Sequence, residues 1–324
     1  MTKQKSHSFH NTIIREYDIR GVYNETLFDN DAEILGNLFG LEVGKNKTVN
    51  VGYDGRLSSV KLKKKLVKGL IDSGVNVNEI GLVPTPLLYY SCFELVADGG
   101  IIVTGSHNPK NHNGFKIVLN DKPFFGTNLI ELSKKAKKFN LKKMNGSVKK
   151  FSLMDKYVKR LIKNFNQKKK INIIWDSGNG AAGDVMKALA ENIDGKYELL
   201  FSEIDGTFPN HHPDPSEPKN LVFCKNRLLD LKYNVGFAFD GDGDRLGVID
   251  DKGRAISGDK LLLLLAKEML KSKKCKVIAD VKCSQVLFDE VKRLGGEIFM
   301  SKTGHSHVKN NLKKLNADLA GEMS

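Results

Sequence analysis

Short apolar runs alternate with amphipathic stretches along this chain. Val49–Asp54, Gly99–Thr104, Ile171–Asp176, Val235–Phe239, Leu246–Ile249 and Lys276–Asp280 have the length and branched-residue content of β-strands. Intervening segments such as Lys61–Leu70 carry lysines at positions that read as the solvated face of a helix. Strand-then-helix repetition predicts an α/β architecture. Three of the runs end in aspartate (Asp54, Asp176, Asp280), each followed within a few residues by an amphipathic helix. Separations of 122 and 104 residues between them predict three similarly built units. The lysine-rich stretch Lys142–Lys150 and the turn D-D-K-G-R at Asp250–Arg254 divide these units into 1–150, 151–254 and 255–324.

The strongest chemical signal is F-D-G-D-G-D-R-L, Phe239 to Leu246. Asp240, Asp242 and Asp244 crowd three negative charges together directly after a strand. Such crowding is relieved by a cation, and hard oxygen ligands suit Mg²⁺ that also binds a phosphoryl oxygen. Gly241 and Gly243 allow alternate side chains to converge instead of alternating across a strand. A calcium-binding EF-hand loop does not fit, because Arg245 stands where its sixth-position glycine belongs and Asp251 where its twelfth-position Glu belongs. An acidic surface turn without metal is the plain alternative.

Two other loops follow strands. Gly178, Gly180 and Gly183 satisfy G-x-G-x-x-G, the dinucleotide-binding pattern. The acid about 20 residues later, Glu198, precedes the apolar Leu199–Phe201 and does not end a strand as that pattern requires, so a tight strand–helix connection is the simpler reading. T-G-S-H-N-P, Thr104 to Pro109, presents Ser106 and His107 at a strand end without the G-x-S-x-G of a hydrolase elbow. Beside a Mg²⁺ cluster, an exposed serine points to phosphoryl exchange at its hydroxyl, although an ordinary Ser/Asn turn has the same tripeptide.

Composition narrows the picture further. The chain has 324 residues, 40% hydrophobic, enough for two or three packed domains. The N-terminus lacks an apolar signal stretch, and the longest aliphatic run, Leu261–Ala266, falls far short of the ~20 residues a bilayer requires. Cys92, Cys224, Cys275 and Cys283 show no C-x-x-C spacing, which suits reduced thiols in a cytoplasm. The net charge of +14 raises a nucleic-acid-binding alternative. Its lysine runs (Lys64–Lys65, Lys134–Lys138, Lys168–Lys170) lack interleaved aromatics or a nucleic-acid module, so non-specific basicity is the plainer reading, with no nucleic acid and no membrane expected, although a positive field would also help attract a small phosphosugar. The pattern leaves the oligomeric state open.

T-G-S-H-N-P with N-G-F-K (Asn113–Lys116), D-G-D-G-D-R and G-E-M-S resembles the α-D-phosphohexomutase superfamily. E-Y-D-I-R-G (Glu16–Gly21), D-V-K-C-S (Asp280–Ser284) and K-T-G-H-S (Lys302–Ser306) add to the match, which is nearest to bacterial phosphomannomutases/phosphoglucomutases. The resemblance implies α/β units of mixed sheet around a central cleft. It also implies interconversion of hexose 1- and 6-phosphates of mannose or glucose. Ser106 would be phosphorylated, with hexose 1,6-bisphosphate as intermediate and activator. Mg²⁺ would sit on Asp240, Asp242, Asp244 and the phosphoserine oxygen. Lys116, Arg245, Arg20 and His107 would serve the phosphoryl group, Lys116 also as a general acid/base of depressed pKa. His305 would carry protons near neutral pH. Tyr17, Lys282, Glu322 and Ser324 would face the sugar. The family continues past G-E-M-S into a fourth domain of about a hundred residues, which is absent here and makes a partial sequence the expectation. A non-catalytic phosphosugar-binding protein is the alternative from another class.

Overall fold

The structure is a computed structural model that describes residues 2–163, 165 and 169–323. Lys168 and Ser324, singled out above, lie outside the described residues.

The first unit contains strands β1 (Thr2–Lys5), β2 (Ile19–Val22), β3 (Thr48–Tyr53), β4 (Asn76–Leu82), β5 (Gly99–Val103), β6 (His112–Leu119), β7 (Lys122–Pro123), β8 (Phe139–Lys142) and β9 (Val148–Lys150). Its helices are α1 (Asp29–Val43), α2 (Ser59–Asp72), α3 (Thr85–Glu94) and α4 (Thr127–Ala136). The main sheet has the order β2-β6-β5-β3-β4-β9, with β7 on β6, and β1 pairs with β8. β3, β4, β5 and β9 run parallel, while β6 runs antiparallel to both of its neighbours, β5 and β2. A core of Leu35, Phe39, Leu62, Leu66, Leu70, Val49, Val51 and Ile101 lies between the sheet and α1, α2 and α4.

The second unit contains α5 (Met154–Ile162), β10 (Ile171–Asp176), α6 (Gly183–Asn192), β11 (Gly195–Leu200), α7 (Val222–Leu231), β12 (Val235–Phe239), β13 (Leu246–Asp250) and β14 (Ala255–Ile256), with sheet order β11-β10-β12-β13-β14. The third contains α8 (Gly258–Leu270), β15 (Lys276–Asp280), α9 (Gln285–Arg293), β16 (Glu297–Ser301), α10 (His305–Lys314) and β17 (Leu319–Gly321), in a parallel sheet ordered β16-β15-β17. The described residues thus form three α/β units.

Both segments read from sequence as dividers are structured. Val148–Lys150 is the edge strand β9, exposed at every residue, and its pairing with β4 closes the first sheet. Asp250–Arg254 is the hairpin turn between β13 and β14, so the second sheet runs past residue 254 to Ile256. Glu198 lies inside β11, which ends at Leu200, and its carboxylate pairs with Arg227.

The recurring aspartates share a structural task. Asp54, Asp176 and Asp280 are at most 1% exposed. Each tethers its own strand–helix loop to the loop of a neighbouring strand or crossover. Asp54 accepts bonds from the Arg56 and Gly105 amides and the Ser59 and Thr104 hydroxyls. Asp176 accepts from the Gly178 amide and faces His211 Nε2 at 3.1 Å, and Asp280 accepts from Thr303 and Cys283. Parallel strands thereby present their loops as fixed platforms at one end, where α/β sheets bind ligands.

Candidate active site

The serine loop connects β5 to β6. Ser106 has φ 49°, a left-handed conformation uncommon for a side chain with Cβ, and its residue is 1% exposed. Arg56, from the loop after β3, supports this conformation. Its guanidinium donates to the carbonyls of Ser106 (2.7 Å), Asn108 (2.6 Å), Pro109 (2.5 Å) and His112 (3.1 Å), and its Nε donates to Asp54 (3.2 Å). The Thr104 hydroxyl accepts the Ser106 amide at 2.8 Å. A serine hydroxyl is therefore held in place by buried, charge-assisted bonds.

The aspartate loop connects β12 to β13. Gly243 has φ 69°, and a Cβ on Gly241 would come within 2.5 Å of the Ser106 carbonyl, so this glycine is what allows the two loops to touch. The glycine loop between β10 and α6 supports them from behind. Ala181 N–H donates to Gly241 O at 2.9 Å, and a Cβ on Gly180 would meet the Asp240 and Gly241 carbonyls. Close backbone approach thus explains the G-x-G-x-x-G pattern. Ser106 Oγ donates to Asp240 Oδ2 at 2.7 Å, and Asp240 Oδ1 accepts the amides of Asp244 and Arg245.

Asp240 and Asp242 are 0% exposed, whereas Asp244 reaches the surface. One ligand oxygen from each of the three lies within 4.8 Å of the others. Burial, with Asp242 and Asp244 beside it, pushes the Asp240 carboxyl well above the usual carboxylate range. Burial pushes Asp242 the same way, but Lys116 and the Thr85 hydroxyl outweigh it and hold Asp242 well below that range. Asp242 Oδ1 is buried without a hydrogen-bond partner among the described residues. An orphaned carboxylate oxygen facing two further carboxylates is costly without a cation and fits a hard divalent ion.

Lys116, on β6 and 3% exposed, donates to Asp242 Oδ2 (2.7 Å) and Asp244 Oδ2 (2.5 Å). Burial lowers its pKa, yet the two aspartates win and raise it above the ordinary lysine value. The depressed pKa expected from neighbouring cations is therefore not found. In this arrangement Lys116 is a fixed ammonium.

Arg20, on β2, donates to Asp18 (2.7 Å), Asn108 Oδ1 (2.9 Å) and Gly105 O (3.2 Å), so it joins the serine loop. His107 Nδ1 lies 3.3 Å from Ser106 Oγ. Burial, with Arg245 and Arg20 nearby, pulls the His107 pKa down to about 3, which leaves the ring neutral. Arg245 faces Asp214 at 3.9 Å.

The third unit docks here through α10. Gly304, φ 121°, lies against the Tyr17 ring, where a Cβ would come within 2.3 Å of Tyr17 Cε1. Ser306 Oγ donates to the Tyr17 carbonyl (3.3 Å), and His307 pairs with Glu16 (2.8 Å). Tyr17 therefore joins the two units. Glu322 Oε1 accepts the Gly304 amide at 2.6 Å, leaving its other oxygen without this bond. Lys282 is exposed in the loop after β15. Burial, reinforced by Lys309, Lys116 and Arg20, pulls His305 well below the usual histidine value, so it does not titrate near neutral pH as expected from sequence.

Sequence reasoning missed Arg56 and Thr85. Y-D-G-R at Tyr53–Arg56 carried a signal, a cation two residues beyond a strand-ending aspartate. Thr85 begins α3, and its amide and hydroxyl both bond Asp242.

Sequence profiles described as phosphoglucomutase/phosphomannomutase α/β/α domains I, II and III match residues 11–140, 155–253 and 257–324. A Pseudomonas putida protein named phosphomannomutase/phosphoglucomutase is 41% identical over 316 residues, spanning 97% of this chain and 68% of the relative. A Neisseria gonorrhoeae phosphoglucomutase is 39% identical, spanning 96% and 69%. The crystal structure of a phosphoglucomutase/phosphomannomutase family protein from Burkholderia thailandensis superposes with a TM-score of 0.90 at 40% identity, covering 96% of this chain and 70% of that one. With the serine and aspartate loops joined in one site, the chain belongs to the phosphoglucomutase/phosphomannomutase family, whose members are hexose phosphate mutases.

Proposed function

We propose that the chain moves a phosphoryl group between the 1- and 6-positions of glucose or mannose through Ser106 Oγ, in the cytoplasm, with Mg²⁺ and hexose 1,6-bisphosphate as cofactors. In the forward half, the Oγ–P bond of phosphoserine breaks as a sugar hydroxyl forms its own O–P bond. The proton released by that hydroxyl ends on Ser106 Oγ. The bisphosphate then turns over, and its other phosphoryl group returns to Ser106. When bound on Asp240, Asp242, Asp244 and the phosphoserine oxygen, Mg²⁺ supplies electrostatic stabilisation of the transferring group.

The chain's own groups do the rest. Arg56 and the Thr104 hydroxyl hold the nucleophile's loop rigid. Lys116, kept charged, neutralises phosphoryl oxygens, and Arg20 and Arg245 add fixed positive charge near His107. Tyr17, Lys282, His305, Glu322 and Ser324 would meet the sugar, with the free oxygen of Glu322 accepting hydroxyls in either orientation of the hexose. The three units (1–150, 151–254, 255–324) would each contribute one wall.

The observation that carries this reading is the 2.7 Å contact from Ser106 Oγ to Asp240 Oδ2, across 134 residues of sequence. Incubation with glucose 1,6-bisphosphate and Mg²⁺ tests it. The protein should gain one phosphoryl group at Ser106, and a coupled assay should follow glucose 1-phosphate conversion. Equal phosphorylation of Ser106→Ala would end the proposal.

A further inference from the structure

A second polar cluster is made by Tyr89 on α3 and by His305 and Lys309 one turn apart on α10. Lys309 Nζ donates to the Tyr89 hydroxyl at 2.9 Å, lies 4.0 Å from the centre of the Tyr89 ring and stands 3.5 Å from His305 Nδ1. Ser306 Oγ also lies 3.5 Å from Nδ1, but it donates its proton to the Tyr17 carbonyl. His305 Nε2 is buried and has no hydrogen-bond partner among the described residues.

We propose that Lys309 is a positioning residue: held by Tyr89, its ammonium faces His305 Nδ1 and keeps the ring proton on Nε2, which donates to an oxygen of the phosphosugar. An ammonium has only donors, so Nδ1 opposite it must accept, and a neutral imidazole then carries its hydrogen on the other nitrogen. The Ser306 oxygen pulls the other way, since its own proton is engaged and it can accept from Nδ1–H. Lys309 therefore decides between two tautomers, and only one gives the unpartnered Nε2 a proton to donate. His305 stands between Gly304, whose amide bonds Glu322, and Ser306, which bonds the Tyr17 carbonyl, and Glu322 and Tyr17 are both proposed to meet the sugar; Lys309, Lys116 and Arg20 oppose a charge on the ring and Asp242 favours one. The inference rests on the mutase reading for the identity of the acceptor, not for the tautomer.

Long-range ¹H–¹⁵N correlation spectra of the ¹⁵N-histidine-labelled chain test it, with His305 assigned by His305→Gln. The unaltered protein should show the Nε2–H form at neutral pH, and its signal should move when glucose 6-phosphate and Mg²⁺ are added. Lys309→Met should raise the Nδ1–H share about tenfold, the scale of one charge-assisted hydrogen bond. Lys309→Arg should restore the Nε2–H form. Tyr89→Phe, which keeps the ammonium but removes its acceptor, should give an intermediate mixture. Retention of the Nε2–H form in both Lys309→Met and Tyr89→Phe would overturn the proposal, as would an Nδ1–H ring in the unaltered chain. Failure of Ser106 to take a phosphoryl group would instead count against the mutase reading and leave the tautomer result standing.

Discussion

Replacing Arg56 by Met keeps a long side chain but removes the guanidinium from the base of the serine loop. Arg56 is 1% exposed, so its guanidinium is shielded from bulk water. Four carbonyls would lose a charged donor, each worth about 1.5–3 kcal/mol taken alone. Simple addition would give about 6–12 kcal/mol, comparable to the whole stability of an ordinary domain, and neighbouring losses do not add. Asp54 keeps the Ser59 and Thr104 hydroxyls and the Gly105 amide, so its charge is not abandoned. The loss expected is about 3–5 kcal/mol, the usual cost of truncating one partner of a buried ion pair. Urea unfolding followed by far-ultraviolet circular dichroism would measure it. Hydrogen exchange at Gly105–Asn108 should accelerate most, because Ser106 would relax from its left-handed conformation. Arg56→Lys should recover less than half of the loss, since a point charge cannot reach four carbonyls as a planar fork does. A loss under about 1 kcal/mol with unchanged exchange in the serine loop would refute the assignment.

Three further outcomes are expected. Asp242→Asn should weaken Mn²⁺ binding, read by calorimetry, at least about tenfold, because one of three hard anionic ligands becomes neutral; equal affinity would contradict the triad. His211 titrates above its ordinary value, since the Asp176 hydrogen bond and charge outweigh the lowering by burial. Its stabilisation is complete below the unfolded-state value near about 6.5 and is lost as pH rises through the folded-state value. Stability against unfolding, followed by Trp175, the single tryptophan, should therefore fall as pH rises above about 6.5 more in the unaltered protein than in His211→Gln. Equal slopes would contradict the pairing. Gly304→Ala places a Cβ against the Tyr17 ring at φ 121°, so the third unit should loosen and the radius of gyration from small-angle scattering should rise; an unchanged value would show that α10 docks by other contacts.

Much of the site was legible because its chemistry is local. The aspartates of D-G-D-G-D are spaced closely enough to crowd at any fold, and the serine loop announces itself at a strand end. What stayed hidden depends on order within the sheet. β3 and β5 are neighbours although β4 lies between them in sequence, and only that pairing brings Arg56 under the serine loop. The charge state of Lys116 was misjudged for a similar reason. Nearby cations suggested a depressed pKa, whereas its closest partners, Asp242 and Asp244, come from 126 and 128 residues away. His305 looked titratable because neither its burial nor Lys309 at the next turn could be weighed from composition. β9 was read as a divider because an exposed edge strand of Val-Lys-Lys has the polarity of a linker.

The pairing of Ser106 with Asp240 also governs when the site can exist during synthesis. At ribosomal speeds the aspartate loop follows the serine loop by on the order of ten seconds. Throughout that interval the nascent chain exposes a hydroxyl that has neither its carboxylate partners nor a metal cage. On the proposed reading of Ser106, competence for phosphoryl exchange would arrive at one moment, when the second unit folds and seats on the first, and a ribosome-bound fragment would be spared premature chemistry at its serine.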